Sequence, residues 1–170
     1  MPITGDITKF LKYLNDEIAT IVKELQSQDN KIDTWKRLAK VCLVNLIVFN
    51  RRREGEVSQL KLEDYMEKPN YNEYETDVLK KGMSRVETYL SETYSYMRAR
   101  GKRGRMVPFV YSSEIKNALD TIVKYRETVG ISPENKYLFA NSVKSYIRGG
   151  PALNELVEEC NKMFNLENHN

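Results

Sequence analysis

Three consecutive arginines, Arg51 to Arg53, follow a long apolar stretch of the chain. A guanidinium group is planar, remains protonated and donates parallel hydrogen bonds, so an arginine cluster can hold a phosphate group. The simpler interpretation is structural, because cations after a helix stabilise its last carbonyl groups by a few tenths to about 1 kcal/mol. Taken alone, the three arginines favour the simpler interpretation.

A second basic segment lies some forty residues further on, where residues 98–105 hold five Lys or Arg and no acidic residue. Such a cluster is usually a solvated turn. Like charges at adjacent strand and turn positions repel each other, however, and a polyanion relieves that repulsion. The segment therefore favours a phosphate partner.

Hydrophobic periodicity indicates the elements that position these two segments. Apolar side chains at three- and four-residue steps are typical of amphipathic helices, and alternation around Gly101 to Arg105 is typical of two strands joined by a turn. The predicted helices cover 6–26, 35–49, 56–60, 73–92, 115–130 and 151–164, residues 62–65 are predicted to form a turn, and the strands cover 93–100 and 106–111.

Length and composition exclude several classes of protein. The chain has 170 residues, of which 41% are hydrophobic, and a net charge of +3, as expected for one domain over residues 1–170. Its longest apolar run, 41–49, contains Asn45 and is too short to span a membrane. No secretory signal begins the chain, so an intracellular location is expected. Cys42 and Cys160 lack the spacing of a disulfide framework or zinc site, and no metal or other cofactor is expected.

The two basic segments, taken in order, resemble the tyrosine recombinases. That family has a Gly-Leu-Arg-x-x-Glu-Leu-x-x-Leu motif followed by a leucine and an aspartate, which resembles 53–60 here with Leu62 and Asp64. Its following hairpin reads Gly-Lys-Gly-x-Lys-x-Arg-x-Val-Pro-Leu, which is similar to 101–109 with a shorter turn. The likeness is strongest over 35–164, and it is nearest to integrase-like proteins of mobile elements in eukaryotic genomes.

The resemblance implies roles for individual residues. Arg53 would bind the scissile phosphate, Glu56 would orient the site, and Lys102 would protonate the leaving 5′-oxygen as a general acid. Arg53 and Lys102 would then converge on one oxyanion. The implied contacts to the DNA backbone are Arg51, Arg52, Arg98, Arg100, Arg103 and Arg105.

Two features depart from the family pattern. Asn50-Arg51-Arg52 stands where the family usually has Thr-Gly-Leu, so the turn before Arg53 must be built differently. The family's second active-site box, His-x-x-Arg, and its nucleophilic tyrosine should follow Phe164. Instead, the only histidine is His169, and no tyrosine follows Tyr146. The chain is accordingly expected to be truncated before the second box and catalytically incomplete.

The resulting expectation is a mainly α fold with a small antiparallel hairpin, similar to part of a tyrosine recombinase catalytic domain. The implied function is DNA binding in recombination or integration, in the nucleus, with no membrane partner. Self-association is expected only if the missing C-terminal helices are supplied. The alternative is a domesticated, non-catalytic helical module that binds a protein partner or regulates.

Overall fold

A computed structural model describes residues 4–27, 31–67, 81–82 and 84–167 of the chain. Within these ranges seven α-helices accompany one pair of strands, and a short 3-10 turn over Lys102–Gly104 joins the strands. The elements, in chain order, are α1 (Thr4–Ser27), α2 (Ile32–Asn50), α3 (Glu54–Ser58), α4 (Leu62–Met66), α5 (Arg85–Thr93), β1 (Tyr94–Arg100), β2 (Met106–Ser112), α6 (Ser113–Tyr125) and α7 (Gly149–Glu167).

Helix α2 is the centre of the core. Every residue from Val41 to Ile47 is buried, as its apolar character on nearly all sides predicts. Helices α1, α6 and α7 surround it. Trp35, fully buried at the start of α2, donates its indole N–H to the carbonyl oxygen of Ile122 in α6 at 2.9 Å. That bond satisfies the one polar atom of a large apolar side chain.

Helices α1, α2 and α7 are also joined by a half-buried ion network. The Arg37 guanidinium donates to both carboxylate oxygens of Glu159, at 2.6 and 3.1 Å, and to Glu17 at 3.2 Å. The Tyr13 hydroxyl donates to Glu159 at 3.2 Å, and burial beside these carboxylates raises the pKa of Tyr13 to about 12. Hydrogen bonding to Arg37 lowers the pKa of Glu159 below its ordinary value.

We expect Glu159→Gln to lower the free energy of unfolding by about 1 kcal/mol at neutral pH, because it removes the charge from a partly exposed bidentate pair. A carboxylate whose folded pKa is depressed stabilises the fold above its unfolded pKa, and loses that effect as the pH falls through the folded value. Urea unfolding at pH 7 and at about pH 3 should therefore show the difference from wild type shrinking in acid. Glu158→Gln, on an exposed neighbour in α7, is the control, and an equal loss there would contradict the assignment.

The two strands form an antiparallel hairpin in which Arg98 lies opposite Pro108 and Arg100 lies opposite Met106. Side chains alternate across it. Met97 and Phe109 are buried on the inner face, which contacts α2 and α6, whereas Arg98 and Arg100 are exposed. The strand period thus directs one row of β1 side chains to the core and the arginines to solvent.

The mainly α fold with a small antiparallel sheet is confirmed. Helix ends differ from the predicted ones by two or three residues in several places, and two segments differ more. Residues 62–65, predicted as a turn, belong to helix α4. The Asp64 carboxylate accepts a hydrogen bond at 3.1 Å from the backbone N–H of Lys61, the N-cap residue of this helix. The helix predicted to reach residue 130 ends at Tyr125. Much of the helix predicted over 73–92 lies outside the described residues, and its last part is α5. No described helix has the length and apolar character needed to cross a membrane.

Candidate nucleic-acid interface

Helix α2 ends in a tight turn that begins the arginine cluster. Arg51 adopts a left-handed conformation with φ 50° and ψ 42°. The N–H of Arg51 bonds the Val48 carbonyl at 3.3 Å and that of Arg52 bonds Ile47 at 3.2 Å, the double closure of a Schellman motif. Glycine normally occupies this position because a side chain strains it. The turn that the family builds with glycine is therefore built here with arginine.

The preceding residue, Asn50, fastens this turn to the hairpin. Its amide nitrogen donates to the Val110 carbonyl at 2.9 Å, and its amide oxygen accepts from the Val110 N–H at 2.7 Å. The side chain thus pairs with the outer edge of β2 as a neighbouring strand would. Beside it, the rings of Phe49 and Tyr94 stack with centroids 5.9 Å apart. The arginines of 51–53 are thereby held next to the basic hairpin.

We expect Asn50→Ala to remove this connection while leaving the helical core folded. Losing both bonds to Val110 should cost about 1–2 kcal/mol of unfolding free energy. The Val110 amide should exchange with solvent much faster, because its bond to Asn50 is lost. Hydrogen exchange followed by NMR measures this directly. Asn154→Ala, an exposed asparagine on α7, is the control; unchanged Val110 protection in Asn50→Ala would contradict the role.

The next two arginines lie between the hairpin and α3. The Arg52 guanidinium carbon lies 6.0 Å from the ring centroid of Phe109 on β2, within cation–π distance. Arg53 is the N-cap residue of α3, in an extended conformation and exposed to solvent. Arg51 is exposed as well. The cluster therefore presents at least two guanidinium groups to solvent at the junction of three elements.

Helix α3 is itself held by the start of α7. The Ser58 hydroxyl accepts from the Gly149 N–H at 2.9 Å and donates to the Glu54 carbonyl at 2.6 Å. The Gly150 N–H donates to the Glu54 carboxylate at 3.3 Å. A Cβ at Gly149 would lie 2.7 Å from the Ile47 side chain and 2.8 Å from the Ser58 hydroxyl oxygen. The absence of a side chain at this position lets α7 approach α3 closely.

A cavity of about 750 Å³ separates α3 and α4 from the hairpin. Glu56, Glu63, Asp64 and Glu67 line its helical side, and Arg100 lines the hairpin side. Lys61 also lines the cavity, and its ammonium group lies 3.6 Å from Glu63. The carboxylates outnumber the cations, so the interior repels a phosphate. An incoming phosphate is better accommodated outside the cavity, at the exposed side chains of Arg51 and Arg53.

The wall of the cavity is braced by a distant segment of the chain. The Leu62 N–H donates to the Lys136 carbonyl and the Leu138 N–H donates to the Leu60 carbonyl, both at 2.8 Å. The Arg126 guanidinium, buried beyond this bridge, donates to the Leu138 and Asn135 carbonyls at 3.4 and 2.6 Å. Its burial lowers the pKa of Arg126. These bonds fix the link between α3 and α4.

The turn of the hairpin carries the remaining predicted cations. The Gly101 N–H donates to the Arg105 carbonyl at 2.8 Å, and Arg103 adopts a left-handed conformation with φ 65°. Arg103 and Arg105 are exposed. Lys102 contributes backbone to the turn, and its side chain lies outside the described part of the structure. A basic turn thus projects from the end of the hairpin.

The predicted site residues fall into four groups, of which the basic turn with Lys102, Arg103 and Arg105 is one. Glu56 and Arg100 line one cavity, the arginines of 51–53 lie between the hairpin and α3, and Arg98 is on the outer face of β1, its guanidinium 5.8 Å from the Tyr96 ring. Arg53 is not among the described residues that line the cavity. The convergence of Arg53 and Lys102 on one oxyanion stays a prediction, as do the roles of all these residues.

The fold is similar to that of a solved recombinase. A crystal structure of the XerH site-specific recombinase, bound to its difH substrate in a pre-cleavage complex, matches 94% of this chain with a TM-score of 0.55 and 16% sequence identity. The chain therefore has a tyrosine recombinase fold. It spans 36% of the length of the XerH chain. No protein-family model and no curated protein matches the sequence.

Sequence reasoning missed two residues that position the arginines, Asn50 and Gly149. The sequence analysis noted Asn50 only as a departure from the family pattern, and it did not consider Gly149. An asparagine directly after an apolar helix is a signal for local hydrogen bonding. The partner, Val110, cannot be read from local sequence, because it lies sixty residues away.

Proposed function

We propose that this chain binds the phosphate backbone of DNA as a recombinase-like module. The observation that carries the proposal is the double hydrogen bond between Asn50 and Val110. It joins the end of α2, and with it the arginines of 51–53, to strand β2 of the hairpin whose other strand and turn hold five further cations. The tyrosine recombinase fold supports the same interpretation, since the XerH recombinase is seen bound to its DNA substrate.

Within that proposal the family pattern assigns the individual roles. Arg53 binds a phosphate by a bidentate contact, Glu56 orients the site from the cavity wall, and Lys102 acts as general acid where cleavage occurs. Arg51, Arg52 and the hairpin arginines hold the flanking backbone. These contacts bind DNA with little dependence on sequence.

Salt dependence of binding tests the proposal. Binding of a labelled duplex should weaken steeply as salt rises, with a log–log slope of about −0.9 for each phosphate contact on B-DNA. A slope near zero, or an absence of binding at low salt, would refute the assignment.

We further propose that these 170 residues do not cleave DNA, because they hold neither a His-x-x-Arg box nor a tyrosine after Tyr146. In the family, cleavage joins a tyrosine oxygen to the scissile phosphorus as the 5′-oxygen departs. A nicked suicide substrate traps such an adduct. A covalent product formed by this chain alone would overturn the proposal.

A protein-binding, regulatory module is the second candidate, and one surface favours it. Val86, Tyr89 and Leu90 are spaced three and four residues apart on α5, and all three are exposed. An apolar helical face of this kind suits a helix-in-groove contact. Binding through it should respond little to salt, and it should be abolished by Val86→Asp together with Leu90→Asp while DNA binding is retained.

A relationship to mobile-element integrases of eukaryotic genomes, with action in the nucleus, is part of the same proposal. Self-association would then require the C-terminal helices of an intact catalytic domain. Sedimentation of the 170-residue chain tests this, with a monomer as the expected result.

A further inference from the structure

A second groove, of about 730 Å³, shares none of its described lining residues with the cavity beside the hairpin. It is bounded by α2, the segment 141–148 and the first turns of α7. Three cations line it, Lys36, Lys40 and Arg148, against a single carboxylate, Glu155. None of these four residues belongs to the arginine cluster or to the hairpin.

Two of the three cations have no counter-charge among the residues that the structure describes. The Lys40 ammonium group lies 2.9 Å from the Glu155 carboxylate. Across the described ranges, no carboxylate oxygen comes within 4.0 Å of a charged nitrogen of Lys36 or Arg148. The groove therefore carries an excess of positive charge.

The start of α7 adds no free amide to this groove. The Gly149 N–H is bonded to Ser58 and the Gly150 N–H to Glu54, while Pro151 has no N–H to donate. An anion in the groove would therefore be held by side chains, and the positively charged ones are the two lysines and Arg148. A lysine ammonium group acts as a point charge and the Arg148 guanidinium as a planar fork, and both suit the phosphates of a polyanion backbone.

The groove adjoins the proposed DNA surface. Arg148 directly precedes Gly149, which contacts α3, and the N-cap of α3 is Arg53. A strand of phosphates running across the arginine cluster can continue past α3 onto α7. This continuity favours nucleic acid over an acidic protein as the occupant.

We propose that this groove is a second contact for the DNA backbone, separate from the arginine cluster and the hairpin, in which Lys36 and Arg148 bind phosphates. The inference rests on the proposed DNA binding. Glu155 restrains Lys40 and so limits the affinity of the groove.

Two sets of substitutions in the full chain test the groove, one expected to weaken DNA binding and the other to strengthen it. Lys36→Gln together with Arg148→Gln should reduce the log–log salt slope for a duplex of about 30 base pairs by about 1.8, the value for two phosphate contacts. Lys12→Gln together with Lys23→Gln is the matched control, because both lysines are exposed on α1 and outside the groove. Thermal melts followed by circular dichroism confirm that each variant is folded.

Removing the groove's carboxylate should have the opposite effect. Glu155→Gln frees Lys40 and is expected to raise DNA affinity about threefold at low salt. Glu158→Gln makes the same change of net charge on an exposed neighbour in α7 and should have a smaller effect. An equal rise in both variants would overturn the inference, because total charge alone would then explain it.

The outcomes separate this inference from the proposed function. If the wild-type chain binds DNA and the Lys36 and Arg148 variant keeps the control slope, the groove proposal is overturned and the proposed function stands. If the wild-type chain shows no salt-dependent binding, both are overturned. If the variant loses binding to a poly-glutamate peptide but not to DNA, the occupant is an acidic protein and the inference is wrong.

Discussion

Replacing Lys102, Arg103 and Arg105 together by glutamine is expected to lower the affinity for duplex DNA roughly 100-fold at about 0.15 M salt. The physical reason is the position of these residues at a turn that projects from the hairpin, where Arg103 and Arg105 are exposed to solvent. Each cation that releases a counterion from DNA contributes separately to the salt dependence. The slope should therefore fall by about 2.7 on a log–log plot, measured by fluorescence anisotropy.

The control for this variant removes the same charge elsewhere. Lys12, Lys23 and Lys162 are exposed on α1 and α7, and their joint replacement by glutamine also lowers the net charge by three. A small, non-specific weakening is expected from them. An equal loss of DNA affinity in the two triple variants would mean that the hairpin turn does not contact DNA.

Gly149→Ala is expected to disturb both stability and DNA binding. The added Cβ would meet Ile47 at 2.7 Å and the Ser58 hydroxyl oxygen at 2.8 Å. Overpacking of a close contact costs about 1–3 kcal/mol, and relief requires α7 to move away from α3. Because Arg53 is the N-cap of α3, that movement should displace it and weaken DNA binding by about tenfold.

Gly150→Ala is a matched control one residue along the same helix. The nearest atom to its Cβ is 3.6 Å away, at the Glu54 side chain, which is ordinary contact. Urea unfolding and DNA titration of the two variants should differ clearly. If both are tolerated, the start of α7 does not position the arginine cluster.

The sequence was informative where local periodicity determined the structure. The apolar steps of α2, the alternation of β1 and β2 and the amphipathic pattern of α7 all predicted their elements, because burial imposes a period of 3.6 or 2 residues. The mainly α fold followed from these patterns. The exact ends of the helices could not be predicted from these patterns. Helix α4 depends on the Asp64 carboxylate accepting a hydrogen bond from the backbone N–H of Lys61, and α6 ends five residues before its predicted end.

The site was only partly predictable. Arg53 and Glu56 were found from motif spacing, but the acidic wall formed with Glu63, Asp64 and Glu67 was not. A single sequence does not show which of its charged residues come together in one cavity and which lie far apart in the folded molecule. For the same reason the sequence did not reveal the groove lined by Lys36 and Arg148, because these two residues lie more than a hundred positions apart in the chain.

The left-handed backbone of Arg51 has a consequence for engineering this chain. Glycine adopts this backbone conformation without strain, so Arg51→Gly should raise the free energy of unfolding by about 1 kcal/mol. The same substitution removes one cation from the cluster. A directed-evolution screen that rewards heat resistance alone would tend to select this exchange. Selection rounds that also require retention on a DNA column would show which of the two properties the position serves.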